Sequence, residues 1–372
     1  MATFTADLKV LAGDLLFIRR ATGFRYAMVP ALELLAVMVG DGVAAVSFYP
    51  DFETAVTTRM AAEGDDVSFA VNIKALADAV KAAGGKGVGT FTVDGEALTI
   101  SAGGVAVNVS LAGDEARSDM VKHPVPDGKL AAILSGADLA RMGSVTATSV
   151  GTDDTLPMLT GVRLECAGLE VRAVTTDRFS LAVTEAVNAF PVRDEVGLLV
   201  PGLPFHHFAK RAGKAGDVLV SVSLDGTVWF ESDDCTLSAR QLDSEFPKWQ
   251  SLMGFVDSAS IAFTFDPAAL LKAAKAMPKG IASTMYLHID GAGVKAVGHS
   301  HESQFSEMTL DVAALECDNP LVIKFSAEKL AAILGAVPKG AKVEWRFSTP
   351  SRPGFFSWDS ERVLLMPIRL PS

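Results

Sequence analysis

One spacing recurs along this chain and limits its fold more than any single motif. Leu8, Leu139 and Leu270 lie 131 and 131 residues apart, each inside an apolar-periodic stretch: "TADLKVLAGDLLFI", "GADLARMGSVTAT" and "DPAALLKAAKAM". A second series comprises "AVNIKALADAVKAAGGKGVGTFTVDGEALTIS", "LVPGLPFHHFAKRAGKAGDVLVSVSLDGTVWFES" and "VIKFSAEKLAAILGAVPKGAKVEWRFS". It repeats an extended approach, an amphipathic helix and a Gly/Lys turn into a strand. Its turn lysines Lys86, Lys214 and Lys339 are 128 and 125 residues apart, and the hairpin pairs Asp94-Gly95 and Asp225-Gly226 are 131 apart. Such turns are common singly, but two landmark series with one period make coincidence a poor explanation. Strands such as "GVAAVSFY", "LEVRAVTT" and "VKAVGHS" follow the first helices as well. The chain therefore reads as six copies of a helix-plus-strands unit, paired into three α+β domains over 1–122, 123–254 and 255–372. Thr5, Ser135 and Asp266 stand before the first helix of each domain and are its expected N-caps.

Composition enters with the question of partners. A formal net charge of −11 speaks against nucleic acid, because phosphate binding is driven by Lys and Arg. The charge is sorted by element, however: the six helical stretches carry fifteen basic residues against six acids. The helix dipole accounts for Lys86, Lys214, Lys279 and Lys339 near C-termini. It does not account for Arg141, Lys210, Lys272 and Lys275. If the six helices share one surface, that surface is basic. The candidates to touch nucleic-acid phosphates, without reading bases, are Arg19, Arg20, Arg25, Lys74, Lys81, Arg141, Lys210, Arg211, Lys272, Lys275 and Lys329.

Chemistry for catalysis is missing from the sequence. No phosphate-cradling G-x-x-x-x-G-K-[ST] occurs, since Lys86 is followed by Gly87 and Lys214 by Ala215. His299 and His301 lack nearby metal-ligand partners, and His206 and His207 are adjacent and do not share a helix face. Ser180 has no evident His base, so no catalytic residue, metal or cofactor is expected. Every long apolar run is interrupted before membrane-spanning length, and no export signal is apparent. The separated Cys166, Cys235 and Cys317 fit reduced thiols, so a cytoplasmic location is expected.

Four stretches resemble one known family: "DDTLPMLTGVRLE", "TTDRFSLAV", "LDSEFPKWQSLM" and the C-terminal "LLMPIRLPS". Their wording and order are similar to the bacterial DNA polymerase III β subunit, the sliding clamp, in its actinobacterial form; a divergent chromosomal and a phage-borne copy both fit. The resemblance implies a DNA clamp fold, closed into a ring by a head-to-tail homodimer. The ring would encircle double-stranded DNA as a non-enzymatic processivity factor. It also implies a hydrophobic groove between domains two and three for short linear motifs of the polymerase III α subunit, the clamp loader and repair proteins. Carried over by motif, the groove residues are Leu159, Thr176, Asp177, Phe179, Leu181, Pro247, Leu252, Met366, Pro367, Ile368, Arg369 and Leu370. The run Val363 to Met366 would complete the last domain as a buried strand, and the residues after it would wall the groove. For the dimer interface the family architecture points to the alternating Val105, Val107 and Val109, with Met277 and Ile281 on the far side. Two departures stand out. Arg178, Phe179 and Ser180 replace a Gly-His-Arg found in many clamps, and Ser251 stands where a basic residue is usual, so a less basic pocket is expected. A monomeric clamp-like scaffold and an enzyme on repeated α+β units remain as alternatives.

Overall fold

The period of the sequence is a period of strands and helices. A computed structural model describes residues 1–24, 29–120, 126–254, 256, 259–280, 283–301, 303–317 and 319–369. The first third runs β1 (Ala2–Asp7), α1 (Leu8–Ala21), β2 (Leu34–Gly40), β3 (Val43–Phe48) and β4 (Thr54–Gly64). It then repeats the order as β5 (Val67–Asn72), α2 (Ile73–Ala82), β6 (Val88–Asp94), β7 (Ala97–Ala102) and β8 (Val105–Ser110). After α3 (Asp114–Ser118) come β9 (Lys129–Ser135), α4 (Gly136–Thr146), α5 (Pro157–Thr160) and two long strands, β10 (Gly161–Thr176) and β11 (Ser180–Pro201). The middle third closes with α6 (Gly202–Ala212), β12 (Asp217–Val222), β13 (Thr227–Glu231) and β14 (Cys235–Arg240). Past α7 (Gln250–Met253), the last third opens with β15 (Ile261–Phe265), α8 (Pro267–Ala276), β16 (Thr284–Asp290), β17 (Gly293–Ser300), β18 (Ser303–Leu310) and β19 (Val312–Cys317). It ends with β20 (Leu321–Ser326), α9 (Ala327–Ala336), β21 (Val343–Phe347), β22 (Gly354–Trp358) and β23 (Glu361–Leu365). The class is α+β, as the sequence predicts.

These elements form two bodies. The first holds residues 1–141, 166–169 and 187–242, and the second holds 142–165, 170–186 and 243–372. In the first, a twelve-stranded sheet follows the path β8-β7-β6-β1-β4-β14-β13-β12-β9, with β2, β3 and β5 branching from it. Strand β1 lies between β4 and β6, so Phe4 faces Gly64 on one side and Phe91 on the other. The second body carries the order β10-β11-β23-β22-β21-β15-β19 and a separate sheet β18-β17-β16-β20. There β15 repeats the part of β1, between β19 and β21.

The recurring leucines are core. Leu8, Leu139 and Leu270 are each 0% exposed, because the first helix of every third presses this position onto its sheet. Helix starts leave amide hydrogens without intrahelical partners, and the Gly/Lys turns supply acceptors. The Leu8 amide donates to the Gly87 carbonyl at 2.9 Å, and the Gly136 amide donates to Gly216 at 2.8 Å. Helix α8 begins with Pro267, which has no amide hydrogen to satisfy. The close approach restricts position 136: a Cβ there would stand 2.0 Å from the Ala212 carbonyl oxygen. The expected caps hold at Ser135 and Asp266, which accept from the amides of Asp138 and Ala268. Thr5 is corrected: it lies within β1, and Asp7 caps α1 by accepting from the Lys9 and Val10 amides. In the second body Trp345 fills the core, stacked on Phe356 at 4.3 Å between ring centroids.

Replacing Leu8, Leu139 or Leu270 by Ala should cost about 2–5 kcal/mol each, because the cavity cannot collapse fully. Asp7→Ala should cost about 1 kcal/mol, and Thr5→Ala less than that. Urea unfolding of these variants measures both comparisons.

Candidate functional site

A turn between β10 and β11 builds one wall of a groove. Asp177 Oδ1 accepts from the amides of Phe179 at 2.9 Å and Ser180 at 2.6 Å, and from the Ser180 hydroxyl at 2.9 Å. Its other oxygen accepts from the Lys329 ammonium. The Thr176 hydroxyl donates to the Ser180 carbonyl at 2.7 Å. Held this way, Arg178 takes φ +76°, a left-handed conformation that suits glycine and is strained for a residue with a Cβ. The turn pushes Phe179 outward to 60% exposure.

The end of the chain is sewn to this turn. Strand β23 pairs with β11, setting Leu364 opposite Leu181 and Leu365 opposite Ser180. One residue on, the Met366 amide donates to the Phe179 carbonyl at 2.8 Å. Beneath lies a small apolar cluster of Val174, Leu181, Val183, Trp249, Phe355 and Leu364. The Trp249 indole donates to Glu165 at 3.3 Å, and the Arg172 guanidinium lies 5.5 Å from its ring centroid. Above this floor opens a cavity of about 340 Å³. Thr176, Phe179, Leu181, Leu252 and Met366 line it, as the sequence predicts. Leu252 and Met366 are each 41% exposed, apolar side chains that water still reaches.

Other predicted groove residues lie elsewhere. Leu159 is buried at 6% exposure, Pro247 is exposed away from the lining, and Asp177 stands behind the turn as its brace. Pro367, Ile368 and Arg369 follow the wall without lining the cavity; the Ile368 amide donates to the Lys324 carbonyl at 2.7 Å. Leu370 lies outside the described residues. The cavity adds Leu364, Arg178, Ser180, Ser351, Arg352 and Pro353. Leu364 has a sequence signal, the apolar run of the final strand. Ser351 to Pro353 sit in an irregular loop with no periodicity to mark them. Two arginines, Arg178 and Arg352, line the cavity and, among the described residues, no acid does.

The helix cations divide into two groups. Arg211 is withdrawn from the phosphate-contacting set: its guanidinium donates to Asp14 at 2.7 Å and to Asp234 at 2.8 Å, and lies 4.9 Å from the Phe17 ring centroid. Asp14 is only 2% exposed, and burial pushes its carboxyl above the usual range despite Arg211 beside it. Lys329 is likewise held by Asp177, Arg141 pairs with Asp138 at 3.0 Å, and Lys74 pairs with Asp78 at 2.9 Å. Arg19, Arg20, Lys81, Lys210, Lys272 and Lys275 are exposed, with no ion pair among the described residues. Arg25 and Ile281 lie outside the described residues. Of the candidate interface residues, Val105 is 48% exposed on β8 at the edge of its sheet, whereas Val109 and Met277 are buried at 7% and 6%. Met277 packs inside the second body's core, against the expectation of a contact surface. Cys166 and Cys235 are buried thiols outside any disulfide, and burial pushes the Cys235 thiol up. Among the described residues no group of His, Cys, Asp or Glu could hold a metal, and no helix is long and apolar enough to cross a membrane.

Removing Arg211 would leave a buried carboxylate uncompensated, so Arg211→Ala should cost about 3–5 kcal/mol, against within about 0.5 kcal/mol for Lys210→Ala; chemical denaturation separates the two. Burial pulls the His206 imidazole on α6 down to about 4, with His207 beside it adding to the effect. Its folded value lies below the unfolded one, so this contribution to stability is complete above about pH 6.5 and is lost as pH falls through about 4. Thermal midpoints measured across that window should fall less steeply in His206→Phe.

Comparison with known proteins agrees with the geometry. Residues 134–248 match the family model for the central domain of the DNA polymerase III beta subunit. A beta sliding clamp of Streptomyces coelicolor is 25% identical over 360 residues, 92% of each chain. One of Micrococcus luteus is 26% identical over 277 residues, 73% of this chain and 86% of its own. The crystal structure of a Pseudomonas aeruginosa sliding clamp bound to griselimycin superposes with a TM-score of 0.83 at 18% identity, covering 99% of this chain and 100% of that one. The repeated strand–helix–strands architecture is thus the DNA clamp fold. The chain is thus similar to bacterial DNA polymerase III β subunits in its central segment and in its fold, and the sequence relatives described are actinobacterial.

Proposed function

We propose that this chain is a DNA sliding clamp, a non-enzymatic processivity factor that holds duplex DNA by encircling it and tethers a polymerase through the groove beside β23. The observation that carries the reading is the clamp fold along 99% of the chain, well beyond the matched central segment. The three repeated domains are 1–122, 123–254 and 255–372, each holding the strand–helix–strands order twice. Two copies close head to tail. Support for closure comes from strand edges left open: β8 ends one sheet with Val105 exposed, and β18 ends another with Phe305 52% exposed. The exposed cations Arg19, Arg20, Lys81, Lys210, Lys272 and Lys275 contact phosphates without reading sequence. Short linear motifs of the polymerase III α subunit, the clamp loader and repair proteins seat apolar anchors over Leu181, Leu252, Leu364 and Met366.

A protein loaded on nicked circular DNA should stay bound through gel filtration and leave when the circle is linearised. In solution it should run near twice the 39.0 kDa chain, and Val105→Asp should shift it toward one. Retention independent of topology would overturn the reading. The triple variant Lys210→Ala, Lys272→Ala and Lys275→Ala should reduce the salt slope of DNA binding by about 0.9 for each phosphate that is no longer neutralised.

A further inference from the structure

Helices α1 and α2 of the first body leave a crevice between them that the groove reading does not use. Its volume is about 420 Å³, inside the range of about 300–1,000 Å³ common for small-molecule sites. Leu15 and Ile73 are almost wholly buried on its lining, whereas Leu16 is 49% exposed, a large apolar side chain with water beside it. Ala77 keeps the space open because its side chain is a single methyl. Phe24 also lines the crevice and is anchored on buried Phe48, edge-on at 5.1 Å between ring centroids.

Charge on the lining is unequal. Its carboxylates are engaged: Glu33 accepts from the Asn72 side-chain amide at 2.9 Å, and Asp78, which also faces Lys81, accepts from the Lys74 ammonium at 2.9 Å. Arg19 and Lys81 are exposed on the same lining, with no ion pair among the described residues. In a chain of net charge −11, an apolar crevice carrying three cations against two acids favours an anion. We infer that this crevice binds a free fatty carboxylate of medium chain length, its acyl chain on Leu15, Leu16, Ile73 and Ala77 and its carboxylate between Arg19 and Lys81. The guanidinium offers the carboxylate two parallel hydrogen bonds, and burial of the chain supplies most of the affinity. Both long walls are helices, whose backbone groups bond within the helix, so an extended peptide finds no strand edge to pair with. Arg19 and Lys81 are also among the cations proposed to meet phosphate. Ligand and duplex would share them, so the test is made without DNA and does not depend on ring closure.

Isothermal titration calorimetry of the intact protein with decanoate, below its micelle concentration, should show one site per chain. Decanol has the same chain and no charge, and should bind about fivefold weaker at low salt. Hexanoate should bind more than about tenfold weaker than decanoate, because fewer methylenes are buried. Added salt should bring decanoate toward decanol. Arg19→Gln and Lys81→Gln should each weaken decanoate about two- to fivefold and leave decanol unchanged. Ala77→Phe fills the crevice and should abolish binding of both. Leu16→Glu sets a carboxylate at the rim and should weaken decanoate more than decanol. Circular dichroism establishes that the variants fold, and Leu16→Glu, on the surface, keeps the test open should Ala77→Phe not fold. Decanoate bound no tighter than decanol overturns the carboxylate assignment. Unchanged decanoate affinity in Leu16→Glu or in folded Ala77→Phe places the ligand elsewhere and overturns the site, as does no binding of decanoate up to about 1 mM.

Discussion

Every helix must find acceptors or substitutes for the amide hydrogens at its start, and in this chain the helices of a pair meet that need through their neighbours. The turn after α2 accepts from the first residue of α1, and the turn after α6 accepts from the first residue of α4. Proline removes the donor altogether at the start of α8. Ala327, at the start of α9, donates to Ser283 instead. The contacts are close enough to dictate residue type, as at Gly136, where a Cβ would meet the Ala212 carbonyl at 2.0 Å. Once the helix starts are pinned, Leu8, Leu139 and Leu270 point into the cores and the sheets have something to pack against.

The groove depends on the same frame at one remove. Its floor is the pairing of β11 with β23, so it exists only once the end of the chain has joined its sheet. Its wall is a four-residue turn shaped by two side chains, Thr176 and Asp177, rather than by intrinsic preference. The backbone there adopts a conformation that its own residue, Arg178, disfavours. That strain is stable because Asp177 is fixed from behind by Lys329. One lysine that sequence reasoning assigns to phosphate contact is thus part of the groove's scaffold.

The charges show the same division of labour. Counting cations along helices finds a basic excess, and the exposed Lys210, Lys272 and Lys275 keep that meaning. Arg211 has a different role. It neutralises Asp14, a carboxylate almost without solvent, and ties α1 to α6 and to Asp234. Such a pair contributes less through attraction than through the cost of breaking it. Its neighbour Lys210 is a surface residue one position away, and no one-dimensional pattern separates the two.

The sequence by itself determined the threefold period, the α+β class, the leucines that become core, two of three helix caps and the likeness to sliding clamps. These are legible because each is a spacing or a local chemical preference, carried by residues near one another in the chain. It located the groove through Thr176, Phe179, Leu181, Leu252 and Met366, all inside recognisable stretches. Only the tertiary structure decided that Leu159 and Met277 are buried, that Arg211 and Lys329 are engaged by carboxylates, and that Arg352 reaches the cavity. Lys329 and Asp177 are 152 positions apart, and Arg211 and Asp14 are 197 apart. Burial and ion pairing depend on what the fold brings alongside a residue, and across such separations no local pattern carries that information.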